Sequence, residues 1–88
     1  MVTTKLLQDV NIGERLRSYR KMQGLTQIEL VAKIQTYGSN LSSNAYSKIE
    51  RGQANIFVED FIMIKLALGF EYSEFFEKYE DIILKRWE

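Results

Sequence analysis

The chain is 88 residues long, 45% hydrophobic and 27% charged, which describes one small globular domain with a modest core. Neither cysteine nor histidine occurs, so disulfides, thiolate or imidazole metal sites, and Ser-His or Cys-His nucleophile pairs are all excluded. The formal charge is zero but unevenly placed: residues 1–53 hold eight Lys and Arg against four Asp and Glu, and residues 54–88 the reverse, a pattern that suggests a polyanion partner on one side only.

In chain order, residues 1–11 read as an N-terminal arm or an extension of the first helix, too polar for a signal peptide. A first helix is expected over 12–23, with Asn11 as N-cap, Glu14 three residues on, and Ile12, Leu16 and Tyr19 along its inner face. Gly24 breaks it. "LTQIE" then supplies a capping box of Thr26 and Glu29 with a Leu25–Leu30 staple, opening a second helix over 27–37 that buries Leu30, Val31 and Ile34 and ends at Gly38. In "LSSNAYSKIERG" the start signal repeats, with Ser42 capping Ala45, and Gly52 closes a third helix over 43–51. Its spacing places Ser43, Asn44, Ser47, Lys48 and Arg51 on a polar, basic face and Tyr46 and Ile49 on an apolar one. "VEDFIMIKLALG" gives a fourth helix over 58–68 with acids in its first turn and Val58, Phe61, Ile64 and Leu68 inward. Residues 71–88 form a C-terminal amphipathic helix whose stripe runs Phe75, Phe76, Tyr79, Ile82, Ile83 and Trp87. The fold expected is all-α, with five helices. No run of about 18 apolar residues is present to span a membrane, and a cytoplasmic protein without membrane partner is expected.

"IGERLRSYRKMQGLTQIELVAKI", then "SKIERGQAN", then "LALGFEYSEFF" resemble the Cro/CI-type (XRE family) helix-turn-helix DNA-binding domain of phage repressors and small bacterial regulators. The likeness covers about residues 12–76. It implies a five-helix lambda-repressor-like domain over 12–70, extended by the C-terminal helix, in which the second and third helices form the helix-turn-helix and the third enters the major groove. Three departures stand out. Val31 occupies a place usually given to alanine, extra residues within "QTYGSN" precede the third helix, and Ile56 stands where a proline usually follows the recognition helix.

Under this resemblance Ser43, Asn44, Ser47 and Lys48 match base-reading positions, with Asn44 suited to adenine and Lys48 to guanine acceptors. The plainer reading is a solvated helix face. Gln27 at the start of the second helix is a phosphate candidate, as are Ser42, Arg51, Gln53 and Asn55, with Ser39 and Asn40 as further possibilities in the inserted turn. Arg20 resembles one more DNA contact, but the family pattern pairs it with Glu50 in a structural ion pair. Arg15, Arg17 and Lys21 read as solvated charges that add long-range attraction. Tyr79, Ile82, Ile83 and Trp87 lie beyond the family domain, where a second copy of the helix would cover them.

The function expected is a sequence-specific transcription regulator: a small homodimeric repressor, not an enzyme, needing no metal or cofactor, on a pseudo-palindromic double-stranded operator. The alternative is an antitoxin or other interaction module whose C-terminal helix, with Phe57 and Met63, binds a partner protein.

Overall fold

The computed structural model describes the backbone of residues 5–6 and the whole of residues 11–86. Five helices account for most of it: α1 (Gly13–Met22), α2 (Gln27–Gln35), α3 (Ser43–Glu50), α4 (Val58–Leu68) and α5 (Tyr72–Lys85). Two short strands, β1 (Lys5–Leu6) and β2 (Ile56–Phe57), pair antiparallel, Lys5 with Phe57 and Leu6 with Ile56. Among the described residues the domain is all-α apart from this one pairing. None of its helices is long and apolar enough to cross a membrane, among the described residues.

The helix boundaries follow from local chemistry. At α1, Asn11 Oδ1 accepts from the Gly13 amide at 3.0 Å, while Ile12 already has helical dihedrals. Asn11 thus supplies the oxygen, and no reciprocal bond from Glu14 accompanies it. At α2 the capping box is complete: Glu29 N–H donates to Thr26 Oγ1 and Thr26 N–H to Glu29 Oε1. The backbone hydrogen bond from Thr26 holds the Glu29 carboxyl below its ordinary range. The Ser42 hydroxyl accepts from the Ala45 amide at 3.1 Å and opens α3.

Regular α2 stops at Gln35, short of the expected Tyr37. The bonds Thr36 N–H to Lys33 O, Tyr37 N–H to Ile34 O and Gly38 N–H to Gln35 O tighten its end into a 3₁₀ turn. Gly38 takes φ +103°, and Ser39 N–H then returns to Ile34 O, which satisfies carbonyls left open by the helix end. Equivalent returns from Leu25 to Arg20 O and from Gln53 to Lys48 O close α1 and α3.

All five helices contribute to the core. Leu16, Leu30, Ile34, Tyr46, Ile49, Ile64 and Phe75 are almost completely buried. Phe75 of α5 anchors an aromatic cluster, with ring centroids 4.8 Å from Phe70, 5.0 Å from Phe76 and 5.2 Å from Phe61. Val58 is only half-buried, and Phe57 and Met63 are half-buried too, Met63 packing on the core. Neither is fully exposed.

Two further findings concern α1 and α5. Tyr79 was expected on an exposed stripe, yet it is buried, 6% exposed, and its hydroxyl donates to the Asn11 carbonyl at 3.1 Å. The fold's own α1 entry covers it. Arg15, expected to be solvated, donates from Nη2 to the Glu74 carbonyl at 3.1 Å and lies 5.2 Å from the Tyr19 ring centroid. Tyr19 in turn donates to Glu74 Oε1 at 3.1 Å, so α5 is fastened to α1 at both ends of this network. Trp87 lies outside the described residues.

Gly13 fixes how closely α1 meets α3. A Cβ there would overlap the Ile49 carbonyl oxygen and lie 2.6 Å from the Glu50 carbonyl oxygen. Gly13→Ala is therefore expected to destabilise the domain by about 1 to 3 kcal/mol, as overpacking against unyielding backbone does. Urea unfolding followed by helical circular dichroism checks this, and an unchanged midpoint would show that α1 does not seat on α3 this way.

Candidate nucleic-acid interface

The surface around α3 is built on a buried ion pair. Arg20 Nε lies 2.9 Å from Glu50 Oε2 and Arg20 Nη2 lies 3.0 Å from Glu50 Oε1, a two-pronged geometry that suits a planar guanidinium. Arg20 Nη1 also donates to the Leu25 carbonyl at 2.7 Å, and Gln27 Nε2 donates to Glu50 Oε2 at 3.3 Å. Three helices thus meet at one carboxylate: Arg20 comes from α1, Gln27 from the first turn of α2 and Glu50 from the last turn of α3. The hydrogen bonds that Arg20 donates to Glu50 push the Arg20 pKa up.

Tyr46 lies beside this pair with its side chain fully buried and its hydroxyl interacting with both Glu50 and Arg20. Burial first, then the nearby Glu50 charge, push its pKa far above the ordinary tyrosine value. Burial also raises Tyr19 and Tyr79.

Outward from this base, α3 presents Asn44, Lys48 and Arg51 as exposed side chains and Ser43 and Ser47 as half-buried ones. Lys48 and Arg51 enter no ion pair among the described residues. Beside α3 runs a cleft of about 500 Å³ bounded by α1, the start of α2 and the end of α3. Arg17 and Glu14 line its α1 side, and Gln27, Ser47 and Arg51 line the other. No residue of α4 or α5 contributes to it.

The expected site residues therefore fall into distinct places. Ser43, Asn44, Ser47, Lys48 and Arg51 share the outer side of α3, and Gln27 joins Ser47 and Arg51 at the cleft. Ser42 spends its oxygen on the Ala45 amide and remains exposed. Gln53 and Asn55 are exposed in the segment after α3.

Ser39 is a different case. It is buried, 7% exposed, donating to Asp60 Oδ1 at 2.7 Å and accepting from the Leu41 amide at 3.0 Å. Its hydroxyl ties the inserted turn to α4 and is unavailable to a phosphate. Neighbouring Asn40 lines a hollow of about 280 Å³ together with Glu59 and Asp60, an acidic setting that repels an anion. Ile82 and Ile83, the remaining expected interface residues, are 38% and 43% exposed.

Arg17, read from sequence as a diffuse charge, is brought into the cleft by its place on α1. The signal available was its position three residues before Arg20, one helical turn away on a neighbouring face. No protein-family model, no curated protein and no solved structure matches the chain.

Arg20→Ala leaves a buried carboxylate alone and is expected to cost about 3 to 5 kcal/mol. Equilibrium denaturation would show it, and a loss below about 1 kcal/mol, the scale of an exposed pair, would contradict the pair's burial. The three tyrosines supply a pH test. Their folded pKa values lie above the unfolded value of about 10, so their contribution is full below that pH and is lost as pH rises through the folded values. Alkaline titration should therefore show tyrosinate absorbance from Tyr46 only together with loss of helical signal. Tyrosinate formation by Tyr46 in a fully helical protein would contradict its enclosure.

Proposed function

We propose that the chain is a sequence-specific double-stranded DNA-binding regulator with a lambda-repressor-like helix-turn-helix domain of the Cro/CI type, acting as a small homodimeric repressor. The observation that carries this reading is the outer side of α3. A short helix locked at its base by Arg20–Glu50 holds Asn44, Lys48 and Arg51 in solvent with Ser43 and Ser47 beside them. Base edges in the major groove require such short donors and acceptors on a rigid helix. Gln27 and Arg51 at the adjoining cleft suit phosphates, which fix register without reading sequence; Ser42, Gln53 and Asn55 flank them.

Self-association is supported by the end of α5. Ile82 and Ile83 follow buried Tyr79 by three and four residues, so the apolar stripe runs off the core into solvent. A second copy covering that stripe gives the two-fold axis that a pseudo-palindromic operator mirrors. The same stripe also suits a different protein, which is the interaction-module reading. In either form the chain acts by binding, with no catalytic group assigned.

Selection from a random duplex pool at about 0.15 M salt, where nonspecific attraction is partly screened, is expected to return a two-fold symmetric consensus. Asn44→Ala and Lys48→Ala should each relax preference at one position per half-site, by about 1 to 3 kcal/mol. Absence of any enriched sequence would sink the regulator reading. Ile82→Glu/Ile83→Glu is expected to shift sedimentation from dimer to monomer at unchanged helicity; a monomeric native protein would remove the homodimer.

A further inference from the structure

Arg17 and Lys21 are one turn apart on α1, and neither is used by the fold. Both are exposed, and neither pairs with a carboxylate or belongs to the core, among the described residues. Two hollows meet at Arg17. The first is the cleft that reaches Ser47 and Arg51 of α3. The second, of about 280 Å³, continues along α1 between Glu14, Arg17, Ser18 and Lys21. Together they form one path from the polar side of α3 across Arg51 and Arg17 to Lys21.

From these observations we infer that α1 carries a phosphodiester track, in which Arg17 and Lys21 contact the DNA backbone just outside the half-site met by α3. The inference rests on the DNA-binding reading and adds a second, sequence-independent surface to it. Spacing supports it. Residues four apart on a helix are separated by about 6 Å along its axis, against about 3.4 Å of duplex axis per phosphate on one strand. The two cations can thus meet neighbouring or alternate phosphates of a single strand.

Charge supports it as well. The Arg20–Glu50 pair at the inner wall is neutral as a unit, so among the described residues the path holds Arg17, Lys21 and Arg51 against Glu14 alone. Ser18 adds nothing to that balance, since its hydroxyl donates to the Glu14 carbonyl. Among the described residues Glu14 is the one group that opposes a phosphate there, and its removal should strengthen binding.

The test measures affinity for the selected duplex across a salt series, for the native chain and for Arg17→Gln/Lys21→Gln. Glutamine keeps helix propensity while removing the charge. The slope of log affinity against log salt should become shallower by about one per residue removed, with the consensus unchanged, and Glu14→Gln should raise affinity. Duplexes carrying neutral methylphosphonates at single positions locate the contacts. Neutralising phosphates flanking the half-site should weaken the native protein and leave the double variant unaffected.

A shallower slope with the same sensitive phosphates in both proteins would mean a long-range field and overturn the track. An unchanged slope would also overturn it while leaving the DNA-binding reading intact. Failure of the native, fully helical protein to bind any duplex would overturn both.

Discussion

The arrangement of the first three helices depends on the ion pair between Arg20 and Glu50. A helix of eight residues is marginal on its own, because nucleation costs several fixed dihedrals before hydrogen bonds accrue. α3 must be held by its surroundings. Tyr46 and Ile49 supply apolar burial, but apolar contact alone tolerates rotation about the helix axis. The two-pronged Arg20–Glu50 contact, the bond from Arg20 to Leu25 O and the bond from Gln27 to the same carboxylate do not. Desolvation of both charges offsets much of their attraction, so the pair contributes more to geometry than to net stability. Geometry is what the outer face of α3 needs.

Gly13 and the inserted turn complete that constraint from opposite ends. Gly13 lets the α1 backbone rest on the carbonyls of Ile49 and Glu50, which brings the α1 start within reach of the same helix end that Glu50 occupies. At the other end, residues 36–42 take the place of a tight turn, and they are tied down in turn. Ser39 bonds to Asp60 of α4, and Gln35 Nε2 donates to the Leu41 carbonyl at 3.2 Å. The segment between α2 and α3 is thereby anchored directly before the Ser42 cap. Extra chain length in a loop costs little entropy per added residue, and these bonds restore the definition that a shorter turn would have given.

Much of this was legible in the sequence, because the signals were local. Thr26 with Glu29, and Ser42 three residues before Ala45, announce helix starts through bonds that span only three residues. Spacing at three and four correctly placed Leu16, Leu30, Ile34, Ile49 and Ile64 in the core. What escaped was non-local. Two-residue strands have no periodicity, so the pairing of Lys5–Leu6 with Ile56–Phe57 leaves no mark in either segment. Ser39 in a polar turn reads as exposed until Asp60 arrives from α4. Tyr79 and Ile83 lie on one stripe, and spacing alone does not tell which of them the rest of the chain covers; Asn11, 68 residues away, decides it.

The charge balance follows the same division between local and global. A formal charge of zero speaks to solubility and long-range attraction, not to what a ligand meets at contact distance. At physiological ionic strength exposed charges are screened beyond about 8 Å, so the groups that matter to an anion beside α3 are those lining its cleft. Arg20 and Glu50 cancel there, Arg17 and Arg51 remain, and among the described residues only Glu14 opposes them. The acids that bring the total to zero fall largely in α4 and α5, and neither helix lines this cleft. A neutral chain can thus carry a basic surface, provided that the fold keeps its carboxylates on other elements or pairs them internally, as it does with Glu50.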